Sequence, residues 1–165
     1  MSQSELEARI RNLEDIEEVK KLMWNYTYRL DYGDLDAVLE CFADDARIEV
    51  AMRGGSGDGE VALEGTYKGK ETLREFYSSV LPDKDRFSVA HFILNPVVTV
   101  EGEEAKGIFY LLEPAAMERA MWGQGRYDMD FVRVDGEWKI SCFRFLWNFN
   151  TPYEEGWVKT PMAGL

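Results

Sequence analysis

The sequence predicts an α+β domain in which helices occupy the first half of the chain and strands follow one another in the second. Apolar residues recur at spacings of three and four between positions 16 and 30 and again between 73 and 80, as on one face of a helix. From position 86 onward, short alternating segments are separated by turn residues. Strands in succession after helices favour this class. The 165 residues fit one domain, 1–165, with 150–165 as a C-terminal arm.

The predicted helices have recognisable ends. Ser4 and Glu7 have the spacing of a capping box, which predicts where the first helix begins. Gly33 predicts where that helix ends, since glycine tolerates the positive φ of a helix C-cap. Asp34 is suited to cap a second, short helix, and Gly69 precedes a third.

Strands are predicted at 47–52, 61–67, 86–100, 106–113, 124–134 and 137–148. The third of these should break near Asn95 and Pro96, and the fourth should end at Pro114. Asp135 and Gly136 form a strong hairpin signal, so the last two strands should pair antiparallel. The glycine-rich stretch 54–59 predicts a loop.

The charge of the chain argues against two classes of partner. The formal net charge is −12, whereas a nucleic-acid binder needs a basic face and an anionic membrane would repel this surface. No apolar run is long enough to span a bilayer and the first residues lack the regions of a signal peptide, so we expect a cytoplasmic protein. Cys41 and Cys142 have apolar neighbours, which predicts two buried thiols in a reducing compartment.

Aromatic residues make up 13% of the chain, which requires either a large core or a lined pocket. A small hydrophobic molecule is the partner that such a pocket would take. Arg126 and Arg144 are candidates to bind an acidic or enolate oxygen, with surface ion pairs as the stronger alternative. The candidates for an aromatic lining are Trp24, Tyr28, Phe76, Tyr110, Trp122, Tyr127 and Trp147.

Three segments carry a resemblance to a known family: 25–36 running into 41–46, then 91–96, then 134–140. In this order and spacing the sequence resembles the SnoaL-like branch of the nuclear transport factor 2-like superfamily. The resemblance implies a cone-shaped, mostly antiparallel sheet closed by N-terminal helices around one apolar cavity. It also implies a homo-oligomer, with a trimer favoured over a dimer. Within the branch, the pattern is similar to scytalone dehydratase and the bile-acid dehydratases, which are cofactor-free lyases.

His91 is the only histidine, and strand alternation places it on one face with Phe87, Val89 and Ile93. From the residues alone it is either a catalytic base or a core histidine bonded to a carbonyl. Asp31 lies at the predicted end of the first helix, where the helix dipole is unfavourable for an acid, so a cation should compensate it. Both match the catalytic histidine and its carboxylate partner in the dehydratases. The resemblance therefore implies a His91–Asp31 pair for proton transfer.

Two further positions match functional residues of the bile-acid dehydratases. Tyr26 lies five residues before Asp31 and would hold or polarise a substrate oxygen, although it also fits a core aromatic. Glu113 shares a strand face with Phe109 and Leu111 and would protonate a leaving hydroxyl, although it also fits a solvated acid at a strand end.

The favoured function is a cofactor-independent, dehydratase-like lyase that acts on a hydrophobic hydroxylated aromatic, polyketide or steroid-like substrate. The alternatives are an isomerase or cyclase with the same proton shuttle, a non-catalytic binder of small molecules, and an interaction module. Ala115 stands where scytalone dehydratase has a second histidine, which leaves the departing group open. With one histidine and no Cys/His cluster, we expect no metal site and no cofactor.

Overall fold

A computed structural model describes residues 1–53, 61–81, 88–116 and 119–161, with the backbone alone for 52–53 and 61–64. The predicted loop at 54–59 and the predicted position of Phe87 lie outside these residues. The described chain contains four helices and seven strands. The helices are α1 (Gln3–Asp31), α2 (Leu35–Glu40), α3 (Lys70–Val80) and α4 (Gly156–Lys159).

Helix α1 begins two residues earlier than predicted. Its capping box is formed by Ser2 and Glu5, since the Ser2 hydroxyl accepts a bond from Glu5 N at 3.2 Å and the Glu5 carboxylate accepts one from Ser2 N at 2.6 Å. The sequence contains the same spacing twice, at Ser2–Glu5 and at Ser4–Glu7. The first copy caps the helix because it leaves one more half-turn of backbone hydrogen-bonded.

The buried side of α1 is the apolar stripe that the sequence predicts, with Val19, Met23, Tyr26 and Leu30 all buried. The helix ends at Asp31, two residues before Gly33, which has a φ of 63°. The Asp34 side chain caps α2 by accepting a bond from Ala37 N at 3.1 Å, as predicted. The end of α1 is thereby fixed against a second helix, and Asp31 lies at this fixed end.

The strands of the described chain form one curled, mixed sheet. They are β1 (Phe42–Arg53), β2 (Val61–Lys68), β3 (Ser88–Val89), β4 (Phe92–Glu101), β5 (Glu104–Ala116), β6 (Ala120–Val134) and β7 (Glu137–Pro152). Its order is β2-β1-β7-β6-β5-β3, and β4 also pairs with β5. All pairs are antiparallel except β1 with β7, which run parallel and join the N-terminal strands to the C-terminal ones. The predicted α+β class with a mostly antiparallel sheet is confirmed.

The core lies between the inner face of this sheet and the buried stripe of α1. Along β5 and β6, every second residue is buried and its neighbours are more exposed, as expected for strands with two different faces. The inner face carries Phe109 and Leu111 from β5, Tyr127 and Phe131 from β6, and Ile140 from β7. Tyr26 of α1 contacts this layer edge-on, with its ring centroid 5.8 Å from that of Phe143.

Two strand predictions near the site have different outcomes. The predicted break near Asn95 is confirmed, because the β4–β5 register shifts between Leu94 and Val97 and Asn95 has a φ of 51°. The prediction that β5 ends at Pro114 was wrong, since the strand continues to Ala116. Pro114 is tolerated there because it takes part in pairing through its carbonyl, which accepts a bond from Ala90 N at 3.2 Å. This bond does not require an N–H on the proline.

The C-terminal arm folds back on its own chain as far as residue 161. Strand β7 continues to Pro152, and Asn150 N donates to the Pro161 carbonyl at 3.0 Å. The ring of Trp157 in α4 stacks on Phe149 at 5.0 Å. Among the described residues, no helix combines the length and the apolar content needed to cross a membrane.

Candidate active site

Asp31 and His91 form a close pair, although they are 60 positions apart in the chain. Asp31 is the last residue of α1, and His91 lies in the short gap between β3 and β4. The ring nitrogen Nδ1 of His91 lies 2.5 Å from Asp31 Oδ1. The backbone N of His91 donates to the same carboxylate, at 3.2 and 3.3 Å from its two oxygens. Asp31 therefore holds both the ring and the backbone of His91.

Glu113, near the end of β5, faces the other side of the same imidazole. Its Oε2 lies 3.3 Å from His91 Nε2. One imidazole thus stands between two carboxylates that come from different parts of the fold. The side chains are 10% exposed for His91, 25% for Asp31 and 19% for Glu113, so the cluster is mostly buried with a residual opening to solvent. We refer to Asp31, His91 and Glu113 together as the acid–imidazole–acid cluster.

The local backbone explains how the cluster is assembled. Because β3 ends at Val89 and β4 begins at Phe92, the backbone N of His91 is free to bond with Asp31 rather than with a strand. The neighbouring Ala90 N bonds to the carbonyl of Pro114, the residue after Glu113. This bond fixes the segment that carries His91 against the end of β5, and it keeps Nε2 beside Glu113.

Asp31 and Glu113 both lie beside the imidazole of His91, and this arrangement changes the pKa of Glu113. Burial raises the pKa of the Glu113 carboxyl, nearby His91 lowers it in part, and the charge of Asp31 raises it further. Burial has this effect because the neutral acid tolerates a poorly solvated site better than the carboxylate does. Glu113 therefore keeps its proton to higher pH than an ordinary glutamic acid does.

The hydroxyls of two buried tyrosines form a hydrogen bond. The hydroxyl of Tyr26 lies 2.9 Å from that of Tyr77, and both residues are buried. Burial raises the pKa of Tyr26, and the charges of Glu113 and Asp31 add to this effect. The same two charges contribute to the raised pKa of Tyr127, which burial dominates. Tyr26 and Tyr127 therefore stay neutral phenols.

A family model described as SnoaL-like domain matches residues 11–144, most of the chain. The chain belongs to this SnoaL-like family. The resemblance inferred from the sequence is thereby confirmed. A search of curated proteins found no match.

Solved structures similar to this SnoaL-like domain include several enzymes by name. A "putative aromatic ring hydroxylase" from Novosphingobium aromaticivorans is 27% identical, with a TM-score of 0.69 over 85% of this chain and 94% of that one. A "putative scytalone dehydratase" from the same organism is 19% identical, with a TM-score of 0.70 over 93% and 96%. Hexachlorocyclohexane dehydrochlorinase LinA-type3 from Novosphingobium barchaimii is 21% identical, with a TM-score of 0.69 over 95% and 96%. At 19% and 21% identity, the last two similarities show a shared fold only.

Of the predicted lining residues, three lie on the inner side of the SnoaL-like sheet or next to it. Tyr127 and Trp147 are buried, and Phe76 is half-buried with its ring 5.2 Å from that of Tyr77. Trp147 packs against Gly123, where a Cβ would be 2.6 Å from the indole and 3.4 Å from the Cβ of Glu113. Trp147 thus forms an apolar wall next to the acid.

The alternation of side chains along the strands shows that three other residues predicted to contact substrate lie on the outer face of the sheet. Tyr110 and Arg144 lie on the outer face of the sheet, where Tyr110 pairs in register with Arg126, and Arg144 forms ion pairs with Asp130 and Glu49. Trp122 has the same parity along β6 as Arg126 and so falls on that side as well. The ion-pair alternative for Arg144 is the one observed.

Two predicted residues of α1 are also corrected. Trp24 is 39% exposed and Tyr28 is 65% exposed, since both turn away from the buried stripe of the helix. Arg126, like Arg144, forms an ion pair, at 2.7 Å to Asp128.

Two pockets lined by described residues lie elsewhere. One of about 370 Å³ is on the outer face of the sheet and is lined by Tyr110, Gln124, Arg126, Leu146 and Asn148. The other, of about 460 Å³, lies between α1 and the turn that joins β6 to β7. Neither includes a member of the acid–imidazole–acid cluster, so the apolar cavity expected there stays a prediction. Within the ranges that the structure describes, no group of three His, Cys, Asp or Glu residues converges on a point where a metal ion could bind.

The sequence does not indicate that the hydroxyl of Tyr77 bonds to that of Tyr26. The apolar repeat between residues 73 and 80 predicts only that Tyr77 is buried, and this is observed. The distinguishing signal was a tyrosine where the pattern needs only an apolar ring, because a buried hydroxyl requires a partner.

Proposed function

We propose that the protein is a cofactor-independent lyase that removes a proton and a leaving group from a hydrophobic, hydroxylated substrate, aromatic, polyketide or steroid-like in character. The observation that carries the proposal is the acid–imidazole–acid cluster, in which the imidazole of His91 lies 2.5 Å from one carboxylate and 3.3 Å from another. The similarity of fold to a dehydratase and a dehydrochlorinase supports an elimination over other uses of the same groups.

His91 is the general base. Asp31 accepts the proton of Nδ1, so the lone pair of the neutral ring is on Nε2, on the side of Glu113. When Nε2 takes a proton from a substrate carbon, the positive charge that forms on the ring is stabilised by Asp31. A positioned base of this kind contributes roughly 10²–10⁴-fold to the rate.

Glu113 is the general acid. Because burial raises the pKa of its carboxyl, Glu113 can carry the proton that a departing hydroxyl needs. The C–H proton passes to His91 Nε2, the C–H electron pair forms the new π bond, and the C–O pair leaves with the proton of Glu113 as water. The imidazolium at Nε2 then returns one proton to the Glu113 carboxylate 3.3 Å away, which restores the starting state.

The short distance between base and acid also sets the stereochemistry. Nε2 and the Glu113 oxygen are 3.3 Å apart, so both reach the substrate from the same side. We therefore expect syn elimination. A substrate deuterated on one face of the carbon should lose its label only when deuterium and hydroxyl share that face, and loss of label from the opposite face would exclude the assigned roles.

The test is a screen of hydroxylated aromatic and steroid compounds with wild type, His91→Ala and Glu113→Gln, and with Glu101→Gln as a control that removes an exposed acid. Loss of turnover in the first two variants alone supports the proposal. Equal turnover by wild type and His91→Ala would remove His91 from the mechanism. Solvent deuterium at a shifted position, without loss of a group, would instead identify an isomerase.

A halide could leave in place of water, as the name of the similar dehydrochlorinase suggests. Chloride needs no proton to depart, so Glu113 would be dispensable in that reaction. Chlorinated and hydroxylated substrates of the same skeleton should therefore respond differently to Glu113→Gln, with only the hydroxylated one losing turnover. Retention of both activities would exclude Glu113 as the acid.

We further propose that the chain forms a homo-oligomer, with a trimer favoured, through the outer face of β4 and β5. Large apolar side chains are exposed side by side on this face, which is unusual for a monomer. They are Phe92, Leu94, Val97, Ile108 and Tyr110. Sedimentation of wild type and Ile108→Glu tests this, and a monomeric wild type would overturn it.

We assign the protein to the cytoplasm, where its two free cysteines would stay reduced.

A further inference from the structure

The strand next to Glu113 offers no side chain to cover it. Glu113 of β5 pairs in register with Gly123 of β6, and residues that pair across a sheet project from the same face. On its other side Glu113 meets His91, which lies in the gap between β3 and β4. If β6 alone bordered the acid, its flank on that side would therefore be open to water.

Trp147 of β7 closes this flank from one strand further away. It pairs in register with Gly125, so its ring leans along β6 to reach the empty position beside Glu113. A Cβ on Gly123 would lie 2.6 Å from Cζ3 and 2.8 Å from Cη2 of the indole, and 3.4 Å from the Cβ of Glu113. The indole edge and the acid thus border the same place, where a side chain of β6 would otherwise stand.

The part of Trp147 that borders this place is apolar. Cζ3 and Cη2 belong to the six-membered ring, whereas the N–H of an indole belongs to the other ring. Trp147 is 5% exposed and packs against Phe145, with the ring centroids 4.4 Å apart. Because an apolar edge cannot solvate a carboxylate, it favours the neutral form of the acid beside it.

The ionisable groups around Glu113 come from other elements. Burial raises the pKa of Glu113 most, His91 lowers it in part, and Asp31 at the end of α1 raises it. Tyr26 of α1 and Tyr127 of β6 stay neutral phenols, so they add no charge. Burial is therefore the effect that an apolar edge beside Glu113 can change.

We propose that Trp147 is a positioning residue that shields the β6 side of Glu113 from water, so that this general acid keeps its proton until a substrate hydroxyl departs. The proposal rests on the proposed function, in which Glu113 supplies that proton. Gly123 is part of the arrangement, because a side chain at this position would displace the indole. Trp147 acts through Glu113 and takes no part in proton transfer itself.

The protonation of Glu113 can be followed without any substrate. Glutamate labelled at its carboxyl carbon gives an NMR resonance for Glu113, which is assigned by its absence from Glu113→Gln. Trp147→Phe lacks the second ring, so the pKa of Glu113 should fall toward its ordinary value of 4.5 by about one pH unit. An unchanged pKa in this variant would overturn the proposal.

Trp138→Phe is the matched control. Trp138 also lies on β7 and is also 5% exposed, but it is near the start of the strand, where Arg133 covers its ring at 4.5 Å. The pKa of Glu113 should be the same in this variant as in wild type. An equal fall in both variants would overturn the proposal, since the loss of any buried indole would then suffice.

A measurement on the wild type avoids loss of the indole. The Cζ3 resonance of ring-labelled Trp147 should move as Glu113 titrates, and this step should vanish in Glu113→Gln. Absence of the step from wild type, or its persistence in Glu113→Gln, would overturn the proposal even if Trp147→Phe did not fold.

With a substrate from the screen, the same effect should appear in the pH profile of kcat. In Trp147→Phe, the limb on which kcat falls as pH rises should move down by about one pH unit for a hydroxylated substrate, but not for its chlorinated analogue. A change in KM alone would make Trp147 only a wall of the binding site and would overturn the proposal. If His91→Ala turns over as fast as wild type, the proposed function fails instead, and the titration of Glu113 still decides whether Trp147 shields it.

Discussion

Replacing Glu113 with glutamine should stabilise the fold while it abolishes the proposed activity. The distances of 2.5 and 3.3 Å on either side of the imidazole place the two carboxylates no more than about 8 Å apart, and two like charges at that separation repel by about 2 kcal/mol at an effective dielectric of 20. The neutral imidazole assigned to the resting state does not offset this repulsion once Glu113 has lost its proton. We therefore expect Glu113→Gln to gain about 1–2 kcal/mol at a pH above the raised pKa of Glu113, or about 2–8 °C in Tm for a chain of this size.

The gain should depend on pH in a definite direction. The pKa of Glu113 is raised above its ordinary value of 4.5, so the folded state holds this proton more tightly than the unfolded state does. Below the ordinary value both states are protonated and Glu113 has no net effect. As pH rises through the raised pKa, the wild type loses stability that the glutamine variant keeps. The difference in Tm should be near zero at about pH 4 and should grow as pH rises through the raised pKa of Glu113.

Thermal unfolding of wild type, Glu113→Gln and Glu101→Gln across this pH range is the assay. Glu101→Gln removes an exposed charge from a chain of net charge −12 and reports the general effect of lower charge. A gain that is equal in the two variants, or that persists unchanged at about pH 4, would refute the reasoning.

Three further predictions concern Asp31, Gly123 and the two cysteines. Asp31→Asn should lower turnover by about 10²–10⁴-fold and destabilise the fold by about 1.5–3 kcal/mol, because an amide cannot hold both the ring and the backbone of His91. Enzyme kinetics measure the first effect and denaturant unfolding the second, and unchanged values in both would contradict the prediction. Gly123→Ala should displace the Trp147 indole and cost about 1–3 kcal/mol, with a shift in tryptophan fluorescence. Both cysteines are buried and burial raises the pKa of each thiol, so a thiol reagent should react slowly until the protein unfolds, and fast labelling of the native protein would be the opposite result.

The fold could be predicted from local patterns wherever one face of an element is buried. The stripe from Val19 to Leu30 identified the buried side of α1, and Asp135-Gly136, with φ values of 51° and 85°, identified the last hairpin. The pairing of β1 with β7 has no local signal, since it joins segments almost a hundred residues apart. The prediction that β5 ends at Pro114 was wrong because a strand tolerates proline where its nitrogen is not required to donate a hydrogen bond to the neighbouring strand.

The site was predictable in part for the same reason. The resemblance indicated His91, Asp31 and Glu113, and the structure brings all three together. The prediction that His91 lies within the strand 86–100 was wrong, since it lies between β3 and β4. Tyr110 and Arg144 were assigned by residue type, and strand parity placed them on the opposite face. Parity along β5 was already readable from Phe109 and Leu111, so alternation is the better guide to which aromatic residues can reach a site.

The parallel pairing of β1 with β7 also determines when the protein can finish folding. Hairpins such as β6–β7 close over a few residues, but Arg47 meets Cys142 only after the intervening chain has been synthesised. Loop closure over such a distance is slow compared with local pairing. We expect the hairpins of β4 to β7 to form first and β1 to dock late. A nascent chain that stops before β7 would then leave one edge of β1 unpaired and exposed to aggregation.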